Sequence, residues 1–381
     1  MDFAHTPAQS ELYDRVYGFA RDKLNDDVLV RDRERRFGAR EWRMCGEFGL
    51  LGLCIPEKYG GMGLGHVSTA LALEALGRGC QDMGLVFAIA AHQLAVAKPI
   101  ADAGTDLLKE RVLPKMCNGE WVGANAITEA EAGSDVFALK TRSERTATGY
   151  VLNGAKSYAS NGPVAQIYLA YANTDPEKGY LGIDAFVVSR DIAGVTVGQP
   201  IDKMGLHTCP ASSVYFENVV VSEADRLGSP GGGAAIFTDS MMWERSCLFA
   251  AYLGAMERQL ATVSEYAADR KQGRRAIGRN QGVSHRVANM KLRLESARLL
   301  VYRACWKRDR GEDATMEVAL AKLAVSEGAV ENSVDAVQIF GAVGYSTEMG
   351  IERMLRDAIP TTIFSGTSEI QRNLIAGRLG L

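Results

Sequence analysis

"YVLNGAKSYAS", residues 150–160, is where the chain stops reading as helix. It is one of five short strand-like runs that alternate with turn signals from Trp121 to about residue 227. The others are "IYLAYA" (167–172), "DAFVVS" (184–189), "GVTVG" (194–198) and "SVYFENVVV" (213–221). Short runs rich in Val, Ile, Tyr and Phe, broken by turn formers, predict strands. Together they predict a small β domain over residues 121–230, within the usual size of a domain.

On both sides the period changes. Before it, Leu12, Val16, Phe19, Ala20 and Leu24 recur at helical spacing. "STALALEALGRGC" (68–80) and residues 83–98 predict largely buried helices, with the glycine-rich loop "IPEKYGGMGLG" (55–65) before them. Residues 1–120 therefore predict a helical domain. After the β segment, "GSPGGGA" (228–234) lacks both a βαβ setting and a Gly-Lys-Ser/Thr ending, so it reads as a flexible linker and not a phosphate loop. Beyond it, Val287, Met290, Leu294, Ala297 and Val301 form one apolar seam. Met316, Leu320, Leu323, Val330, Val334 and Val337 form another. Such seams predict long helices packed as a bundle over residues 231–381. The order helices, β domain, helices excludes a doubly wound sheet and a barrel of βα units.

Composition removes other classes. With 47% hydrophobic residues, 23% charged residues and a net charge of -3, nothing favours nucleic acid or a membrane surface. The apolar run Met83–Ala91, even extended to Ala97, is too short to span a bilayer. The start "MDFAHTPAQS" shows no secretory signal. Seven scattered cysteines with no C-x-x-C pair predict reduced thiols in the cytoplasm. The five histidines have no metal-ligand spacing, so no metal is expected.

Three segments carry candidate chemistry. In "NAITEAEAGSD" (125–135), Ile127 ends an apolar stretch, and Thr128, Gly133 and Ser134 offer hydroxyl and backbone donors in a turn. Alone this is a surface turn. In "DSMMWERSCLFA" (239–250), Glu244 lies among Met241, Met242, Trp243, Cys247, Leu248 and Phe249. Its plain reading is a glutamate near the start of a helix capped by Asp239 or Ser240. The apolar neighbourhood is also what a carboxylate with a raised pKa needs. "PTTIFSGTSEIQRNLIA" (360–376) reads as a small polar loop leading into a helix from Glu369.

In this order the segments resemble the acyl-CoA dehydrogenase family over essentially the whole chain. The resemblance implies an N-terminal helical domain, a middle β-barrel-like domain and a C-terminal four-helix bundle, with FAD as cofactor. It implies that Ile127, Thr128, Gly133 and Ser134 line the flavin, with Ser134 also near the substrate. Tyr158 and Ser160 take the places of a tryptophan and a threonine that lie against the flavin. Arg270 and Gln281 match a segment that reaches FAD of a neighbouring subunit, although Gly273 stands where a phenylalanine is expected. Gln338, Gly341 and Gly344, with Ala342 between, match a second pyrophosphate loop, and Thr367 and Glu369 fall on the flavin side. The family removes an α-proton with a carboxylate while a hydride leaves the β-carbon of a thioester. Its usual glutamate position is Ser365 here. The Glu244-Arg245 pair is similar to the isovaleryl and long-chain branches, where the base sits on this other helix. Glu244 is thus the expected base, with Met242, Arg245, Phe364 and Ser365 on the substrate side. A hydroxyl cannot deprotonate a carbon acid unaided, so Ser365 is expected to be dispensable.

"TCPASSVYF" (208–216), with the two C-terminal segments, is most similar to the branch that oxidises L-proline held as a thioester on a peptidyl carrier protein. That implies a carrier-protein partner and a homotetramer of paired dimers. Two other readings stay open: a short- or branched-chain acyl-CoA dehydrogenase with the same base, and a non-catalytic flavin- or carrier-binding protein.

Overall fold

In the computed structural model residues 4–381 are described, so the first three residues of the N-terminal reading lie outside them. The first helix shows how local chemistry sets an element. Thr6 Oγ1 accepts from the Gln9 amide at 3.2 Å and Gln9 Oε1 accepts from the Thr6 amide at 3.0 Å. This reciprocal cap, with Pro7 in the first turn, starts α1 (Pro7–Lys23) and turns Val16 and Ala20 into the core. The N-terminal part continues with α2 (Val28–Glu34), α3 (Ala39–Phe48), α4 (His66–Gly79), α5 (Met83–His92), α6 (Lys98–Ala103) and α7 (Asp106–Cys117).

Between α5 and α6 the chain does not leave the helix. Gln93–Ala97 forms a π turn, so residues Met83–Ala103 make one helical rod. A π turn needs no special sequence pattern, and Pro99 follows it in the first turn of α6. The rod is 21 residues long and apolar enough to cross a bilayer, contrary to the run length read from sequence. However, 89% of its most apolar window is buried in this fold. It is a core helix.

The middle segment holds β1 (Gly123–Ala126), β2 (Arg142–Arg145), β3 (Gly149–Ser160), β4 (Ile167–Asn173), β5 (Ile183–Ser189), β6 (Val195–Val197), β7 (Ala211–Ser222) and β8 (Arg226–Leu227). The strand order is β6-β7-β3-β2-β4-β5-β8, with β1 parallel to β4. The sheet curls. Tyr150 on β3 meets Phe186 on β5 at 4.9 Å between ring centroids, although two strands separate them in the sheet. Tyr150, Leu152, Tyr168, Phe186, Val214 and Phe216 fill the resulting core.

"GSPGGGA" is not a loose linker. The Gly231 amide donates to Asp184 Oδ1 at 2.8 Å, and a Cβ on Gly233 would lie 2.7 Å from the Asp184 carbonyl carbon. These glycines let the backbone seat directly on β5, which composition alone cannot distinguish from a tether.

The C-terminal part consists of α8 (Gly233–Trp243), α9 (Phe249–Asp269), α10 (Gln281–Asp309), α11 (Thr315–Phe340), α12 (Ala342–Tyr345), α13 (Ile351–Ala358) and α14 (Ser368–Arg378), with a hairpin of β9 (Lys271–Gln272) and β10 (Arg275–Ala276). The α10 seam holds: Met290, Leu294, Ala297 and Val301 are buried. The α11 seam does not. Val318, Ala319, Ala321, Val325 and Ala329 are buried, whereas Val334 is exposed and the other seam residues are only half-buried. Small side chains allow closer helix approach, so the tightly packed face is the Ala/Val face and not the one with the largest residues. α4 and α9 cross closer still, with Gly77 against the Ala251 carbonyl and Gly254 against that of Glu74.

Candidate active site

A cavity of about 660 Å³ opens where the β domain meets the two helical parts. Its walls come from the rod (Phe87, Ala91, Ala95), from the loop after β1, from the end of β3, and from the C-terminal loop with Glu244.

The loop after β1 is held from below. Glu129 is buried and takes bonds from Lys156 Nζ at 2.8 Å, the Lys140 amide at 2.6 Å and the Thr141 amide at 2.9 Å. Burial alone would raise its pKa, but these donors hold it below the usual carboxylate range. Lys156 also donates to the Ile127 carbonyl at 3.2 Å. The pair thus fixes the turn that brings Ile127, Thr128, Gly133 and Ser134 to the cavity wall. Sequence reading did not find this anchor, because Glu129 and Lys156 are 27 residues apart.

At the end of β3 the register with β7 slips between Lys156 and Ala159, and Tyr158 adopts a left-handed φ of 57°. The bulge interrupts the alternation of a regular strand, so Tyr158 stands 66% exposed at the cavity beside Ser160. That conformation is uncommon for a bulky residue, and here it sets the ring at the mouth of the cavity. Asn125 also lines the cavity, and its Oδ1 is buried with no partner among the described residues. The sequence did not single out this unmet polar group.

Glu244 is not at a helix start. α8 runs into a second π turn, Glu244–Leu248, and then into α9, so Asp239 and Ser240 lie inside a helix and cap nothing. The π turn widens the ladder where Glu244 faces the cavity, a frequent device at functional sites. Glu244 is 7% exposed. Burial pushes its carboxyl up, partly opposed by the Ser365 hydroxyl and the Arg245 charge. Ser365 Oγ donates to Glu244 Oε1. Arg245 Nε donates to the Ser365 carbonyl at 2.7 Å, and burial pulls the Arg245 pKa down. Ser365 thus touches Glu244, the one carboxylate that lines the cavity among the described residues. Phe364 packs on Phe87 at 4.7 Å and on Phe249 at 5.6 Å, closing this end with aromatic rings.

The remaining expected residues sort into two groups. Thr367 lines the cavity and caps α14 by accepting from the Ile370 amide at 3.3 Å. Glu369 is exposed in the first turn of α14, and Met242 is buried in the core; neither lines the cavity. Arg270, Gln281, Gln338, Gly341 and Ala342 are also outside it. They sit exposed at the other end of the bundle, at the ends of α9 and α11 and the start of α10. The 21 residues of α9 put roughly 30 Å between that end and the π turn.

Profiles of three family domains match the chain: Acyl-CoA dehydrogenase N-terminal domain at residues 6–120, middle domain at 124–219 and C-terminal domain at 231–380. An L-prolyl-[peptidyl-carrier protein] dehydrogenase of Pseudomonas fluorescens is 55% identical over 351 residues, 92% of each chain. The structure of PigA with FAD and proline superimposes with a TM-score of 0.98 at 41% identity, covering 100% of both chains. That of the prolyl acyl carrier protein oxidase AnaB does so with a TM-score of 0.97 at 42% identity, covering 99% of this chain and 100% of AnaB.

Proposed function

The chain belongs to the acyl-CoA dehydrogenase family, and on that footing we propose that it is an FAD-dependent oxidoreductase acting on an L-prolyl thioester carried by a peptidyl carrier protein, in natural-product biosynthesis. The observation that carries this reading is Glu244, a buried carboxylate at the wall of a cavity whose end is closed by aromatic rings. Such an end suits a compact acyl group. The likeness to a prolyl-carrier dehydrogenase and to a protein with bound FAD and proline supports the substrate and the cofactor.

The cavity fits a flavin ring. Tyr158 offers an aromatic face, Thr128, Ser134 and Ser160 offer hydroxyls, and Asn125 has an unmet polar group. Bound there, FAD supplies the hydride acceptor. The chain supplies the rest. A thioester α-C–H is a weak acid, so its proton must be taken by a base whose pKa lies close to the working pH. Glu244 is that base, with burial raising its carboxyl from the ordinary range. The negative charge that develops on the thioester oxygen needs donors in place beforehand. The Ser365 and Gly366 amides, on the loop that lines the cavity, donate to no protein acceptor among the described residues and are free to serve. The aromatic wall excludes water, which keeps these interactions strong.

Anaerobic bleaching of the flavin tests the substrate. Prolyl-carrier protein should reduce it, while isovaleryl-CoA, free proline and prolyl-CoA should do so far more slowly. Equal bleaching by isovaleryl-CoA would favour the acyl-CoA dehydrogenase reading. No bleaching by any thioester would favour a binding protein.

The exposed group at the far end of α9 supports a second part of the proposal. Arg270, Gln281, Gln338 and Gly341 are too distant to serve their own cavity, so they complete the FAD site of a neighbour in a homotetramer. Gly341 has a φ of 64° and, among the described residues, nothing within 4 Å of a Cβ position, which suits backbone approach to a phosphate. Mass measurement should give a tetramer holding FAD, and Arg270→Ala should lower FAD content. A monomer with full FAD occupancy would contradict this. Seven free, buried thiols support a reducing, cytoplasmic setting.

A further inference from the structure

We propose that Ser365 is a positioning residue for the Glu244 carboxylate: its hydroxyl fixes one carboxylate oxygen and leaves the other to meet the α-hydrogen of the substrate. The inference rests on the reading of Glu244 as base and goes beyond it. Only Oε1 accepts the Ser365 hydroxyl. Oε2 receives no bond from the described residues and is not a buried unpaired atom, while Glu244 lines the cavity.

The loop is built to hold that hydroxyl still. Its carbonyl is clamped by Arg245 Nε at 2.7 Å, and the next carbonyl, of Gly366, accepts from Gln371 Nε2 at 3.1 Å. Gly366 has a φ of 87°, and a Cβ there would stand 2.9 Å from Gln371 Nε2 and 3.1 Å from Arg245 Nη2. Glu244 and Arg245 are neighbours in one π turn, so the two clamps close a ring: carboxylate to hydroxyl, and carbonyl to guanidinium. Ser365 itself has a φ of 56°. Glycine adopts that conformation at less cost, but glycine brings no donor. The side chain is therefore kept against local backbone preference.

The charged and titratable groups around Glu244 come from each packed element. Arg245 lies on its own turn. Tyr171 comes from β4, its phenol pushed up by burial and then by the Glu244 charge. Lys322 of α11 stands behind Arg245, its pKa lowered to about 8 by burial and by that guanidinium. Among the described residues Ser365 alone donates a side-chain hydrogen bond to the carboxylate. A bond to the ionised form favours that form, so losing it raises the carboxyl further.

The test uses FAD-loaded enzyme and prolyl-carrier protein, with the rate of flavin reduction followed against pH. Ser365→Ala and Ser365→Gly should each slow reduction by about tenfold, since hydrogen bonds to charged groups contribute at this level. The acid limb of the profile should move to higher pH, with KM nearly unchanged. Ser365→Gly should also melt at a higher temperature than Ser365→Ala, because it relieves the left-handed strain. A structural role alone would not move the acid limb. Wild-type rates, or an unmoved acid limb, in both variants would overturn the proposal. If Glu244→Gln itself reduced flavin at the wild-type rate, the base assignment would be what failed.

Discussion

Glu244→Gln should slow flavin reduction by prolyl-carrier protein by about 10⁴-fold or more, while FAD stays bound. General-base catalysis typically contributes about 10²–10⁴-fold. The upper end applies here because among the described residues that line the cavity Glu244 is the only carboxylate. Glutamine keeps the size and can still accept the Ser365 hydroxyl through its amide oxygen, so the loop should keep its shape. The residues expected to hold FAD lie on other segments, so its visible spectrum should be unchanged. The pH profile of the wild type carries the sign. Burial raises the carboxyl, only the ionised form can take the proton, and activity should therefore rise with pH through a pKa above the ordinary glutamate range. The Ser365 oxygen approaches Glu244 from the opposite segment, so the double change Glu244→Gly with Ser365→Glu should recover part of the rate by placing a carboxylate at the same point of the cavity wall. Rapid reduction in Glu244→Gln would remove Glu244 from the mechanism.

Gly254→Ala and Gly77→Ala should each destabilise the fold by about 3 kcal/mol or more, the upper range for overpacking. A methyl on Gly254 would fall on the Glu74 carbonyl and 2.5 Å from the Arg78 amide, and one on Gly77 would fall on the Ala251 carbonyl. Backbone atoms cannot rotate aside as a side chain can, so α4 and α9 would have to separate. Glu74 is buried beneath that crossing and is held by Arg298 at 2.9 Å and Tyr302 at 2.7 Å, so separation would also open a polar network. α9 is continuous with the π turn that carries Glu244, and FAD retention and activity should fall together with stability. The two changes force the same movement, so their sum should be less than additive. Thermal unfolding of the FAD-loaded protein measures this, and a wild-type melting point in both variants would show that the crossing yields cheaply.

Period and composition alone separated the helical, β and helical parts, because the alternation of a strand and the 3.6-residue repeat of a helix are written in neighbouring residues. Seam residues such as Leu294 and Val301 are legible in that way, and so is Glu244 as a carboxylate set among apolar neighbours. The tertiary structure decided what local pattern cannot carry. Both π turns lie in ordinary helical sequence, and they join Met83 to Ala103 and bring Glu244 to the cavity. The bulge at Tyr158, the seating of "GSPGGGA" on β5 and the small-residue face of α11 depend on what approaches from elsewhere. The contact that most changes the reading of this protein joins Ser365 to Glu244 across 121 residues of chain. A hydroxyl that is inert as a base becomes a clamp only when folding sets it beside a buried carboxylate, where a hydrogen bond to charge is strong because water is excluded.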